Sequence, residues 1–363
     1  MSLAFLAILT PQGRGAVAVV RVWGPDALAV ADAAFRPNQG ARLAKTPANR
    51  PRVGRMGAGL GDEVVAVVLG FEPFEVEIQC HGGPVPLALV VEALTDAGAK
   101  VVEPGRWVES ASPSPIAAQA RVDLAEAPTV RAAEILMDQM QGALDADLHR
   151  AAALAANNPI GAIELLDELV RRSKVGCHLI KGWRVVLAGR PNVGKSRLLN
   201  ALAGFDRAIV TATPGTTRDV VTVRTAFDGW PVELADTAGL RTTADDVETA
   251  GIALARARQA EADLVLLILD GSEPLTSFDL ALIDTHPEAL HVVNKADLPR
   301  AWEPDPASAL IVSAERGDGL DLLVAAIAGR LVPGPPPAGS GVPFRHEHVI
   351  YINKFQTKLI ENW

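Results

Sequence analysis

The residues Gly189-Arg190-Pro191-Asn192-Val193-Gly194-Lys195-Ser196 carry the spacing G-x-x-x-x-G-K-S. Glycines at both ends of such a run let backbone N–H groups curl around phosphate oxygens, and a helix starting at its end aims further N–H groups the same way. Phosphate-binding donors are therefore expected along Asn192, Val193, Gly194, Lys195, Ser196 and Arg197. The Lys195 ammonium reaches the β- and γ-phosphates, and the Ser196 hydroxyl ligates Mg2+. Val185 to Ala188, just before the run, reads as a buried strand, and Leu198 to Leu202, just after it, reads as a helix. This is the strand–loop–helix context the chemistry needs.

Three further stretches complete a nucleotide site. Asp236-Thr237-Ala238-Gly239 follows the strand-like Val232 to Ala235. An acidic residue there holds the Mg2+ shell through water, and the Gly239 N–H meets the γ-phosphate and senses its loss. Asn294-Lys295-Ala296-Asp297 follows Leu290 to Val293. The Asp297 carboxylate accepts from guanine N1–H and N2–H2, donors that adenine lacks, so ATP is disfavoured by an unpaired carboxylate. Asn294 supports this loop, the Lys295 stem packs over the ring, and Ser313-Ala314 offers a backbone N–H to the guanine oxygen. Between the first two motifs lies a threonine-rich stretch, Ala208 to Asp219. A hydroxyl from this stretch must meet Mg2+ when GTP is bound; Thr217 is the candidate and Thr216 the alternative. The position after Gly239, where many GTPases carry a water-orienting glutamine, is Leu240.

These loops must be held by an alternation of strand and helix, and residues 183–331 show it, predicting a mostly parallel sheet with helices on both faces. The four segments expected are 1–116, a small α+β domain; 117–180, a helical connector; 181–331, the α/β P-loop domain; and 332–363, a linker and short helix. In the first, Leu3–Leu9, Val17–Val22, Val64–Leu69 and Val76–Gln79 read as strands, Pro84–Ala97 as a helix and Arg36–Arg55 as a loop. In the connector, apolar residues at helical spacing predict helices around Ile135–Leu144 and Ile160–Val170. Pro333 to Gly341 reads as a linker, stiff at first and then flexible.

The chain of 363 residues has 34 Lys+Arg against 43 Asp+Glu and a net charge of −9, which disfavours broad non-specific binding to nucleic acid. Mean hydropathy is +0.20, but no apolar run approaches the roughly 20 residues that span a bilayer. No membrane association is expected. Cys80 and Cys177 show neither a disulfide framework nor metal-ligand spacing, and a cytoplasmic location is the expectation.

Taken together, G-R-P-N-V-G-K-S, A-I-V-T-x-x-x-G-T-T-R-D, D-T-A-G-L-R and D-D-V-E-x-x-G-I resemble the tRNA-modification GTPases called MnmE or TrmE. So do Thr10 to Gly15, Val19 to Gly24 and Val76-Glu77-Ile78-Gln79-Cys80-His81-Gly82-Gly83. The resemblance implies GTP and GDP as ligands with Mg2+. It also implies a K+ ion beside the P-loop in place of an arginine finger, at Asn192 with Thr211, Thr213 and Thr216 around it. Glu248 would orient the attacking water; on spacing alone it reads as a solvated helix carboxylate. With Glu248, Lys195 and Thr217 make up the expected catalytic set. The resemblance further implies a homodimer through the N-terminal domain, a tetrahydrofolate derivative bound there, and action with an MnmG-like flavoprotein on the wobble uridine of tRNA.

The chain departs from the family's pattern at three places. Phe71 to Glu75 replaces a longer loop, and Arg106 to Ala111 replaces F-T-x-R-A-F. Arg21 is then either a folate contact or an ordinary strand-end arginine, and His81 belongs to a turn into the following helix. The family's terminal C-[I/L/V]-G-K is not present through Trp363. A second reading therefore stays open: a GTP-controlled binding switch or dimer scaffold without the tRNA step.

Overall fold

The computed structural model describes residues 3–11, 13, 15–71, 74–205, 222–236, 262–305 and 309–361. They fall into two compact units, divided between Ala118 and Gln119.

In the first unit, strands β1 (Ala4–Ile8), β2 (Val17–Trp23), β3 (Arg36–Pro37), β4 (Arg52–Met56), β5 (Asp62–Phe71), β6 (Phe74–His81) and β7 (Ala99–Val101) form one sheet. Its order is β3-β4-β5-β6-β2-β1-β7, antiparallel except where β1 pairs with β7. Alternation along the strands sends Leu6, Val20, Val22, Val64, Val68, Val76 and Ile78 to one face. There they pack with Val30 of helix α1 (Ala27–Ala34) and with Val90 and Leu94 of α2 (Pro84–Asp96). Helix α3 (Pro104–Ala111) follows β7, and α4 (Pro115–Leu124) spans the division between the units.

The Arg36–Arg55 segment, expected to be a loop, instead holds β3, a 3-10 turn at Leu43–Lys45 and most of β4. The inward positions of β4 are Gly54 and Met56. A Cβ on Gly54 would lie 2.4 Å from the Arg36 carbonyl oxygen and 2.5 Å from the Phe35 ring, so the close approach requires glycine. Glycine carries no hydrophobic signal, and the alternation of a strand is hidden there.

The second unit opens with helices α5 (Val130–Met140), α6 (Ala143–Ala155) and α7 (Pro159–Gly176). The single helix expected around Ile135–Leu144 is two, because Gly142 sits at φ +96° between them. A six-stranded sheet follows, made of β8 (Trp183–Ala188), β9 (Thr222–Phe227), β10 (Trp230–Asp236), β11 (Leu264–Asp270), β12 (Leu290–Asn294) and β13 (Ala309–Ile311). Its order is β13-β12-β11-β8-β10-β9, and every pair is parallel except the β9–β10 hairpin. Helices α8 (Lys195–Ala203), α9 (Ser277–Thr285) and α10 (Leu320–Leu331) alternate with the strands, and α11 (His346–Glu361) comes last. Because the strands are parallel, the carboxyl ends of β8, β10, β11 and β12 lie along one edge, where a doubly wound sheet binds ligands.

The opposite edge is braced by stacked rings. His178 stacks on Trp183 at 4.9 Å between centroids, Trp183 meets Trp230 edge-on at 5.6 Å, and the Arg131 guanidinium lies 4.9 Å over Trp230. Burial disfavours the charged imidazole of His178, but hydrogen bonds to Asp263 and the Lys174 carbonyl outweigh it and raise its pKa.

The Pro333–Gly341 linker departs from the flexible expectation in its second half. Gln139, fully buried on α5, donates from Nε2 to the Ser340 carbonyl at 3.1 Å and accepts at Oε1 from the Val342 N–H at 3.0 Å. The Gly341 N–H donates to Asp147 at 3.0 Å, and its carbonyl accepts from Arg172 at 3.3 Å. Val342 and Phe344 are buried beyond these bonds. A segment whose backbone groups are paired by buried side chains is fixed, whatever its glycine and proline content. Among the described residues, no helix is long and apolar enough to cross a membrane.

Candidate functional site

The P-loop runs from the end of β8 into α8. Asn192 takes φ +68° and Gly194 φ +97°, both in the left-handed region, so the chain turns back on itself before the helix begins. No side chain caps the start of α8, which leaves its first N–H groups directed at the loop's hollow. Lys195 is buried, and its Nζ donates to the carbonyls of Gly189 and Arg190, each at 2.8 Å. The ammonium is thereby held across the loop, where phosphate oxygens would be gripped between it and the backbone. A loop of this shape fits a polyphosphate.

Asp236 stands at the end of β10, beside β8, in register with Leu187. Its Oδ2 accepts from the Ser196 hydroxyl at 2.6 Å. Two oxygens so placed next to a phosphate cradle suit Mg2+, one as a ligand and the other through water.

Asn294 ties the base-reading loop to the P-loop. Asn294, buried at the end of β12, donates from Nδ2 to the Val193 carbonyl at 2.9 Å and accepts at Oδ1 from the Ala314 N–H at 3.0 Å. A Cβ on Gly194 would lie 2.4 Å from that Nδ2, so glycine is required for the two loops to touch. The Ser313 hydroxyl donates to Asp297 Oδ1 at 2.6 Å, and Arg316 donates to the Asp297 carbonyl at 2.9 Å. That Ser313 bond, with the positive charges of Arg316 and Arg197 nearby, lowers the Asp297 pKa and keeps the carboxylate ready to accept hydrogen bonds. The Ala314 N–H, expected to serve a guanine oxygen, is given to Asn294 in this arrangement. Arg197, on the outer face of α8, pairs with Glu315.

The structure thus brings Asn192, Val193, Gly194, Lys195, Ser196 and Asp236 together at one end of the sheet, with Asn294, Asp297, Ser313 and Ala314 next to them. Thr211, Thr213, Thr216, Thr217, Gly239, Leu240 and Glu248 lie outside the described residues. Asp270, which the sequence reading does not name, and Arg190, to which it gives no role, belong to the same edge. Asp270 ends β11, and its carboxylate meets Lys295 Nζ at 2.6 Å. Arg190 of the P-loop reaches Glu273 at 2.6 Å and Asp279 at 3.4 Å. The sequence signal for Asp270 was an acidic residue closing six apolar ones, Leu264 to Leu269.

The first unit answers the folate expectation at Arg21. Glu75 and Glu77 bind its two terminal nitrogens, and the Trp107 ring covers it at 4.6 Å. Trp107 Nε1 also donates to Glu75 at 2.7 Å. Two carboxylates already offset the charge of Arg21, and the Nε that keeps no partner is buried, so these residues do not fit Arg21 as a contact for a third, folate carboxylate. A cavity of about 290 Å3 in this unit is walled by Phe5, Trp23, Arg106, Glu109 and Ser110, and Arg21 is not among them. His81 donates its N–H to Asp62 at 3.0 Å, and its ring Nδ1 lies 2.8 Å from the same carboxylate, just before the turn into α2.

A parallel sheet with a lysine-bearing phosphate loop, an aspartate on its Mg2+ side and an Asn/Asp base-reading loop defines a P-loop GTPase. Comparison with known families agrees: residues 184–295 match the 50S ribosome-binding GTPase family, and residues 4–112 match the GTP-binding protein TrmE N-terminus. The tRNA modification GTPase MnmE of Chloroflexus aurantiacus is 35% identical over 92% of this chain and 82% of its own length. That of Symbiobacterium thermophilum is 36% identical over 89% and 81%. Among solved structures, the G domain of the T. maritima FeoB iron transporter is 28% identical, covering 41% of this chain and 98% of its own at a TM-score of 0.31. The chain belongs to the MnmE family of tRNA modification GTPases.

Proposed function

We propose that this chain hydrolyses GTP with a K+ ion beside the P-loop and acts, as a homodimer through its N-terminal domain, in modifying the wobble uridine of tRNA together with an MnmG-like flavoprotein. The observation that carries the hydrolytic part is the cradle itself: a buried Lys195 spanning the loop, with Ser196 hydrogen-bonded to Asp236 beneath it. Lys195 and the N–H groups that open α8 bind and orient the phosphates. Ser196 and Thr217 would ligate Mg2+, with Asp236 holding its water shell and the Gly239 N–H on the γ-phosphate. Asn192, exposed at φ +68° on the loop, would hold K+ with Thr211, Thr213 and Thr216. Held there, the two cations would supply positive charge against the charge that develops on the phosphate oxygens in a loose transition state. Glu248 would accept a hydrogen bond from the attacking water and aim it in line, the role that Leu240 cannot fill.

Phosphate release tests this assignment. At equal ionic strength, turnover in KCl is expected to exceed that in NaCl about tenfold or more. Glu248→Ala is expected to lower kcat roughly 10²-fold while leaving GDP affinity within about twofold. Equal rates in the two salts would remove the K+ site, and unchanged turnover in the variant would return Glu248 to an ordinary surface helix.

The tRNA part is supported by the relatives' shared activity and by coverage of four-fifths of their length. Its test is separate. Expressed in a bacterial strain lacking its own MnmE, this chain should restore wobble-uridine modification, read by mass spectrometry of digested tRNA. Persistently unmodified tRNA, with the protein soluble and hydrolysing GTP, would overturn it.

A further inference from the structure

We infer that Asp270 is a positioning residue for guanine-nucleotide binding, holding Lys295 over the base and tying the base-reading loop to the P-loop. It ends β11, in register with Asn294 at the end of β12, and so stands between the two loops. Its side chain is 2% exposed and pairs with Lys295 Nζ at 2.6 Å. The same carboxylate lies 3.9 Å from the Arg190 guanidinium. Arg190 in turn sits among Glu273 and Asp279, and its own carbonyl holds Lys195. One buried carboxylate is thus shared by a cation from each nucleotide-binding loop.

The Lys295 backbone points independently to the same role. It takes φ +67°, in the left-handed region that side chains other than glycine and asparagine seldom adopt. Such a conformation persists only where the surroundings enforce it, and it gathers at ligand clamps. Here the backbone is held by the Ala296 N–H on the Val312 carbonyl at 3.1 Å and the Leu298 N–H on the Lys295 carbonyl at 3.0 Å, and the ion pair fixes the side chain that this backbone aims. The hydrogen bonds around Asp270 are arranged to keep it charged. The Ser272 hydroxyl donates to Oδ1 at 2.6 Å and the Ser272 N–H at 2.9 Å. Burial opposes ionisation of this carboxyl, but Lys295 and Ser272 more than offset it and hold the pKa below the ordinary value.

The consequence of losing the charge is local. Lys295 is 28% exposed on its side chain, so without Asp270 its ammonium swings into water and is not stranded in the interior. The stem leaves the base, and nucleotide affinity falls while the fold stands. This inference rests on guanine-nucleotide binding at the site already described.

A double-mutant cycle on the full chain tests it, with the dissociation constant of a fluorescent GDP analogue as readout. Asp270→Asn and Lys295→Met are each expected to raise Kd about tenfold, and the double variant also about tenfold, because both changes remove one interaction. The maximal GTP turnover at saturation should stay within about twofold for Asp270→Asn, as expected when only uniform binding is lost. Additive losses, about a hundredfold in the double variant, would show that Asp270 does not act through Lys295 and would overturn the proposal. Lys295→Met removes a partly exposed ammonium and leaves Asp270 its two Ser272 hydrogen bonds and Arg190 at 3.9 Å, so it serves as the second variant: an unchanged Kd in it overturns the proposal even if Asp270→Asn fails to fold. Failure of the unaltered chain to bind the analogue would instead overturn the nucleotide site as a whole.

Discussion

Lys195→Met is expected to lower kcat/KM for GTP about 10³-fold, a loss of roughly 4 kcal/mol of transition-state stabilisation. The substitution keeps the length and apolar character of the stem and removes only the ammonium. In the folded chain that ammonium is buried and donates to two carbonyls of its own loop. It is therefore placed before substrate arrives, and no reorganisation is needed when charge builds on the β- and γ-phosphate oxygens. A buried cation fixed in place is worth several times a surface charge, because less solvent screens it. The carbonyls of Gly189 and Arg190 lose a donor in the variant, but they border an open loop and can turn to water. The melting temperature is accordingly expected to shift by only a few degrees. Lys195→Arg should not recover the activity, since a planar fork cannot sit where a compact ammonium spans the loop. Phosphate release under subsaturating GTP, with circular dichroism as the control for folding, measures both. A loss smaller than about tenfold would mean that the phosphates are held by the backbone alone.

What the sequence disclosed of this site follows from which parts of it chemistry constrains locally. Phosphate must be met by glycine-turned backbone and a lysine at one spacing, and guanine by an acceptor-only side chain, so Gly189 to Ser196 and Asn294 to Asp297 are recognisable without a structure. The supports are different. Asp270 acts on Lys295 across neighbouring parallel strands, a proximity that only the sheet order creates. Gln139 pairs with Ser340 and Val342 from the far end of the unit. Glycine and proline composition there signals a loose linker, and nothing local says that a buried amide will pair its backbone. Strand β4 was missed for a related reason: a glycine stands where the inward hydrophobe would be. Arg21 makes the complementary point. A strand-end arginine looks available on paper, yet Glu75 and Glu77 lie beside it on the neighbouring strand and Trp107 folds over it. Availability is a tertiary property.

Asp297→Asn is expected to exchange the substrate, lowering kcat/KM for GTP about 10³-fold and raising it for xanthosine triphosphate by a comparable factor. Guanine presents N1–H and N2–H2 together, and a carboxylate meets both because it only accepts. An asparagine amide turns one acceptor into a donor, which then faces the guanine amino group with no lone pair to use. Leaving that polar contact unpaired, and facing donor with donor, costs several kcal/mol. Xanthine carries a carbonyl at the same carbon, so the new N–H2 finds an acceptor while Oδ1 still takes the N1–H. The change is confined to the base because the loop does not depend on the negative charge. Arg316 holds the Asp297 main-chain carbonyl, Asn294 spans the two loops, and the Ser313 hydroxyl can donate to the amide oxygen as it does to the carboxylate. Competition between the two triphosphates, followed by phosphate release in the presence of both, reads the exchange in one experiment. Retained preference for GTP would place guanine recognition elsewhere than Asp297, whereas loss of both activities with an intact melting curve would show that the loop needs the charge after all.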